Sequence, residues 1–124
     1  MTSELSLFTK GAADYDRWYY MDLINREYIE KYLTELAKYP ETEVMKEVRL
    51  YAKENGYPII RPSSAAFLNV ITRLKRPEKV LEIGTSVGYS GLVLMQAMDK
   101  DGHLTTVEAD EDLLEAARAN FARQ

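Results

Sequence analysis

Cysteine is absent from the 124 residues, and histidine occurs once, at His103. The first absence excludes disulfides, thiolate metal ligands and cysteine nucleophiles, and it fits a reducing cytoplasm. No apolar run reaches the roughly 18 residues that a membrane-spanning helix needs, so no membrane partner is expected. The first twenty residues have no basic start followed by an apolar core, so they do not read as a secretory signal. A basic excess is missing too. Sixteen Lys and Arg stand against twenty Asp and Glu, for a net charge of −4. That disfavours a generally basic nucleic-acid-binding surface but leaves a local patch open. Neither an internal repeat nor a low-complexity run is present.

What is there is ordinary for a soluble globular chain: 46% hydrophobic and 29% charged residues, in a length that fits one domain. Residues 1–20 lack periodicity until the aromatic group Tyr15, Trp18, Tyr19 and Tyr20. That group reads as packing or a dimer contact sooner than as a substrate platform. From Met21 to Lys38 the pattern is helical, with Ile24, Tyr28, Tyr32 and Leu36 on one stripe that Ile29 and Leu33 widen. Pro40 closes it. A second helix is expected after the N-cap candidate Thr42, with Val44, Val48, Tyr51 and Ala52 inward and Gly56 as the stop. The segment from Tyr57 to Pro62 carries two prolines and should be extended. Ser63 or Ser64 is the candidate cap of a third helix, with Phe67, Leu68, Ile71 and Leu74 facing inward.

The texture changes after Pro77. Lys79 to Ile83 is short, apolar and partly β-branched, and it reads as a buried strand. A loop containing glycine and serine follows, then a helix carrying Leu92, Val93, Met95, Gln96 and Ala97. Asp99 to Gly102 forms a turn, and His103 to Val107 a second strand. Asp110 can cap a last helix with Leu114, Ala117 and Phe121 on one face. Strand, helix, strand implies a right-handed crossover and two parallel strands. Two parallel strands alone leave faces and edges uncovered, so further sheet partners are expected, from more chain or from another molecule.

Chemistry concentrates in Val80-Leu81-Glu82-Ile83-Gly84-Thr85-Ser86-Val87-Gly88-Tyr89-Ser90. A loop at the C-terminal end of the first strand of an open α/β sheet is where ligands bind. Gly84 and Gly88 allow close approach of a ligand to the backbone. The loop opens a helix whose free N–H groups favour an anionic group. The spacing is G-x-x-x-G, and Ser86 stands where the dinucleotide fingerprint has its middle glycine. That weighs against a pyrophosphate-bearing dinucleotide. Glu108 ends the second strand, twenty residues after Gly88, where an acid can accept hydrogen bonds from both ribose hydroxyls. Glu82 lies in an apolar strand, where a carboxylate is costly without a partner. A ligand ammonium group would serve.

Each feature also has a plainer reading. Gly84 and Gly88 could form a tight turn only. Glu108 could be a solvated acid at a helix start, and Ser90 a helix-start hydroxyl. Glu82 could pair with Lys79 or Arg61. His103 reads as a surface residue. Glu41, Glu43, Asp110, Glu111 and Asp112 read as solvated acids at helix starts sooner than as a metal site.

The string VLEIGTSVGYSG, followed by DGHLTTVEADEDLLEAARANF, resembles the small cation-dependent O-methyltransferases. This class I S-adenosylmethionine-dependent family includes catechol and caffeoyl-CoA O-methyltransferases. The upstream YAKENGYPII and Pro77 extend the likeness from Val44 to the C-terminus, most of all to bacterial members that methylate 5-hydroxyuridine in tRNA. The resemblance implies an N-terminal arm over 1–20, a helical cap region over 21–77, and over 78–124 the first β-α-β-α of a Rossmann-like α/β sheet, incomplete in this chain. It implies S-adenosylmethionine as cofactor, with Glu82 and Ser90 near its amino acid part. Gly84, Thr85, Ser86 and Gly88 would form the loop around it, Glu108 would hold the ribose, and Ile60 would pack near the methyl donor. Family members also use a divalent cation such as magnesium and a catalytic lysine. Their positions lie beyond the helix after the second strand, so no catalytic or metal residue is assigned here.

The implied reaction is methyl transfer to a hydroxyl of a catechol-like small molecule or of a tRNA hydroxyuridine. The implied assembly is a homodimer or a partner chain over the sheet edge. Two other functions stay in view: a catalytically inactive, truncated cofactor-binding or assembly fragment, and a nicotinamide-dependent (NAD) Rossmann oxidoreductase.

Overall fold

The computed structural model describes residues 26–37 and 40–124. The arm over 1–20, its aromatic group and Ile24 lie outside the described residues. The elements run α1 (Glu27–Leu36), α2 (Glu43–Asn55), α3 (Pro62–Lys75), β1 (Lys79–Ile83), α4 (Tyr89–Ala97), β2 (His103–Val107) and α5 (Glu111–Phe121). β1 and β2 pair in parallel, from Lys79 opposite His103 to Ile83 opposite Val107. Among the described residues the sheet has these two strands alone, joined by α4 as a parallel β-α-β unit of an open α/β fold.

Local signals set most boundaries. The Thr42 hydroxyl accepts from the Met45 N–H and caps α2, and Gly56 ends that helix in the left-handed region. Asp110 accepts from the N–H groups of Asp112 and Leu113 and caps α5. α3 starts earlier than its serines suggest. Arg61 is the N-cap and Pro62 occupies the first turn, with no side-chain cap. Proline suits that position because its missing N–H would be unpaired there anyway. The Ser63 hydroxyl instead donates to Glu30, which also pairs with Arg61 at 3.5 Å and so ties α1 to the start of α3.

α4 is the centre of the fold. It packs on α2, α3 and β2, and for that reason it is apolar nearly all round: Tyr89, Gly91, Leu92, Val93, Leu94 and Ala97 are all buried. Met95 is exposed. Met45, Val48 and Ala52 of α2 and Ala65 of α3 complete the core around it. Each fully buried Leu or Val contributes about 1.5–3 kcal/mol.

Three expectations about inward faces need correction. Phe67, Ile71 and Leu74 point outward from α3, while Ala65, Asn69 and Thr72 are buried. The small face brings α3 close to α4, and its polar groups are satisfied. The Asn69 amide donates to Gln96, and the Thr72 hydroxyl donates to the Leu68 carbonyl. The α1 stripe of Tyr28, Tyr32 and Leu36 is exposed, as is Tyr51. β1 is covered on one face only. Val80 and Glu82 lie on the covered side with Leu104 and Thr106, and Leu81 and Ile83 are bare.

Candidate functional site

The loop from Gly84 to Gly88 joins β1 to α4 and carries three residues in the left-handed region: Gly84 at φ 91°, Ser86 at φ 48° and Gly88 at φ 90°. A Cβ built on Gly84 would have no heavy atom within 4 Å, so there glycine serves the backbone turn and leaves open space beside it. Gly88 does not line that space. It is the N-cap of α4, and a Cβ on it would come within 3.1 Å of the Phe121 ring. A sharp turn packed against α5 is therefore enough to require glycine there.

Ser86 is the strained residue of the three. Its N–H donates to Glu108 Oε2 at 2.7 Å. Its hydroxyl oxygen is, among the described residues, the one buried side-chain polar atom without a hydrogen-bond partner. A residue in the left-handed region with a buried, unpaired hydroxyl, on a loop that lines a cavity, is a functional signal, since both features cost stability.

That cavity, of about 260 Å³, is lined by Pro58, Ile59, Ile60, Gly84, Thr85, Ser86, Tyr89 and Ser90. Four sequence-predicted site residues other than Ile60 thus meet on one wall: Gly84, Thr85, Ser86 and Ser90. Ile60 faces them from the extended segment. Glu82 and Glu108 stand behind the wall. Glu82 accepts from the Ser90 hydroxyl at 2.5 Å and from the Thr106 hydroxyl at 2.6 Å. Neither Lys79 nor Arg61 is its observed partner. Thr85 and Thr106 hydroxyls lie 2.6 Å apart. The Thr106 proton is directed to Glu82, so Thr85 is the donor in that pair. Protons from Thr85, Thr106 and Ser90 therefore all run toward one carboxylate. What Thr85 and Ser90 have left to offer is lone pairs, which suit a donating group such as an ammonium.

Glu108 is more than a solvated acid. Beyond Ser86, its Oε1 accepts from the N–H groups of Ala109 at 2.8 Å and Asp110 at 3.1 Å. The Asp110 and Ser86 N–H groups hold its carboxyl below the usual carboxylate range. It staples the loop after β2 to the loop after β1. His103 is exposed at the far end of its strand.

Thr106 and Glu41 are absent from the sequence-based set. Strand alternation gives a signal for Thr106, which sits on the same sheet face as Glu82 and directly opposite it. No sequence signal distinguishes Glu41. Far from being a solvated acid, it accepts from Arg49 and from the Tyr89 hydroxyl.

A family model described as O-methyltransferase matches residues 34–124. The chain belongs to the O-methyltransferase family. A Mycobacterium leprae protein named as an O-methyltransferase is 33% identical over 82 residues, which are 66% of this chain and 37% of that protein. The crystal structure of the O-methyltransferase from Bacillus cereus in complex with SAH aligns with TM-score 0.67 and 27% identity, over 77% of this chain and 44% of that one. The O-methyltransferase TomG from Streptomyces achromogenes, involved in tomaymycin synthesis and solved with SAM, gives TM-score 0.64 and 28% identity, over 77% and 43%. The chain thus spans less than half the length of each of these three relatives. Among the described residues no group of three His, Asp or Glu side chains could hold a metal ion. No helix of the described residues is long and apolar enough to cross a membrane.

Proposed function

We propose that the cavity between residues 58–60 and the loop 84–90 binds S-adenosylmethionine, and that the protein uses it to methylate a hydroxyl oxygen. The observation that carries this reading is the unpaired Ser86 hydroxyl on a strained residue of the cavity wall. Solved family members bound to SAH and SAM support the choice of ligand. The spacing of Gly84 and Gly88 without a middle glycine supports it over NAD.

The chain's own residues divide the work. Ser90 would take the ammonium of the methionine part through its free lone pairs, with Glu82 behind it holding the Ser90 hydroxyl and supplying the opposite charge. Ser86 would hydrogen-bond a polar atom of the cofactor. Glu108 retains acceptor capacity for one ribose hydroxyl, because a carboxylate offers about four lone-pair sites and three are taken here. Ile59 and Ile60 would exclude water from the apolar side. When bound, the cofactor would supply an electrophilic methyl group, the acceptor hydroxyl would release its proton to solvent, and the sulfur would keep the C–S electron pair. The protein assists chiefly by holding the two reactants in line. The acceptor is a catechol-like small molecule or a tRNA hydroxyuridine.

Calorimetric titration tests the reading. S-adenosylmethionine should bind in the micromolar range or tighter while NAD gives no heat. Ser86→Ala should weaken binding by roughly tenfold, as expected for one lost hydrogen bond in a closed site. Equal affinity in the variant removes Ser86 from the site, and tighter binding of NAD overturns the cofactor. Methyl transfer to catechol with added magnesium is then read separately. Binding without transfer supports a cofactor-binding fragment over a self-sufficient enzyme.

A further inference from the structure

Resting on the cofactor reading above, we propose that Tyr89 is a positioning residue through which the start of α2 fixes the shape of the cavity. Tyr89 is the first residue of α4, immediately after Gly88 in the left-handed region, and its side chain is both a wall of the cavity and part of the core. It is 1% exposed. Filling space would need only a phenylalanine. The hydroxyl is extra, and buried in this way it must find a partner or cost stability. It donates to Glu41 Oε1 at 3.0 Å, across 48 residues of sequence.

Glu41 is itself held. Arg49, two turns along α2, donates to it through Nε at 2.9 Å and Nη2 at 3.1 Å. A two-point contact from the planar guanidinium fixes the direction in which the carboxylate presents its oxygens. Both side chains are partly shielded, at 29% exposure for Arg49 and 21% for Glu41. The restraint therefore runs from Arg49 to Glu41, to the Tyr89 ring, to the turn at Gly88. The same turn carries Ser86 and precedes Ser90. Position of the helical N-terminal region and affinity of the cofactor loop are coupled through one hydroxyl.

The test uses Tyr89→Phe and Arg49→Met in the full chain, with two readouts. In the ligand-free protein, hydrogen exchange of the amides over residues 84–90 should speed up by about fivefold to tenfold in each variant, while amides of β1 and β2 keep their rates. Calorimetry with S-adenosylhomocysteine should show affinity falling by roughly tenfold in each variant, and by no more in the double variant, because both act on one chain of contacts. Glu41→Gln keeps an oxygen acceptor for Tyr89 and should retain more affinity than Glu41→Ala. An equal rise in exchange across the whole chain, or unchanged loop exchange and affinity, overturns the proposal. Should the unaltered protein not bind S-adenosylhomocysteine, the cofactor reading fails, and the exchange result alone decides whether Tyr89 restrains the loop.

Discussion

The two faces of the β1–β2 ribbon have opposite fates. On one, α4, whose Leu92 and Val93 are fully buried, packs on the sheet that carries Val80 and Leu104 on its covered side. On the other, Leu81, Ile83 and Val107 are 65%, 82% and 47% exposed. The covered face is where local chemistry has been completed: the Glu82, Thr106, Thr85 and Ser90 hydrogen bonds all lie on that side or at its end. The bare face is equally apolar in sequence yet has nothing to pack on among the described residues. A parallel sheet normally buries both faces. Apolar character alone thus marks where burial is possible. Which residues are buried depends on what the rest of the fold or assembly brings to them.

The largest expected effect exploits that difference directly. Leu92→Ala on the covered side should cost about 2–5 kcal/mol, since α4 is enclosed by helices and sheet and cannot collapse into the hole. Ile83→Lys on the bare side should change monomer stability by less than about 0.5 kcal/mol. Chemical denaturation of both variants measures the gap. Equal losses would mean that the bare face is covered in solution, by a second copy or another chain. Light scattering would then show the lysine variant dissociating.

The middle effect sharpens the chemistry of the covered face. Thr106→Val keeps the shape but takes one donor from Glu82 and the acceptor from Thr85. A loss of about 1–2 kcal/mol follows for leaving buried polar groups unsatisfied, and Thr106→Ser should recover most of it. A valine variant as stable as the unaltered protein would show that the hydroxyl chain does not form.

These contrasts also explain what sequence reasoning could see. Gly56, Thr42, Asp110 and the turn at Gly102 are legible because the physics is local: a cap or a left-handed residue acts within a few positions. The wall formed by Gly84, Thr85, Ser86 and Ser90 is legible for the same reason, being one short loop. Phe67, Ile71 and Leu74 share a helical face by their spacing, but periodicity has no means of telling whether that face meets the core. Here the small residues Ala65, Asn69 and Thr72 meet it. Glu41 was invisible because its partners, Arg49 and Tyr89, come together only through the packing of α2 on α4. Thr106 needed the register of the sheet, which places it opposite Glu82.

The smallest expected effect concerns Glu108, which links the loop of the covered face to the end of β2. Its carboxyl is held below the ordinary carboxylate value, first by the Asp110 N–H and then by that of Ser86. A carboxyl depressed in the folded state contributes stability that is present above its unfolded value and is lost as pH falls through the folded one. Glu108→Gln retains an oxygen acceptor but not the charge, so it should remove only the pH-dependent part. Because the group is partly solvated, the loss near neutral pH should be no more than about 1 kcal/mol. Denaturation curves for the two proteins should differ most near neutral pH and converge in acid, once pH has fallen through the lowered folded-state value of Glu108. A difference that persists unchanged in acid would mean that the two loops are joined by shape alone, and that the charge on Glu108 is free for whatever enters the cavity.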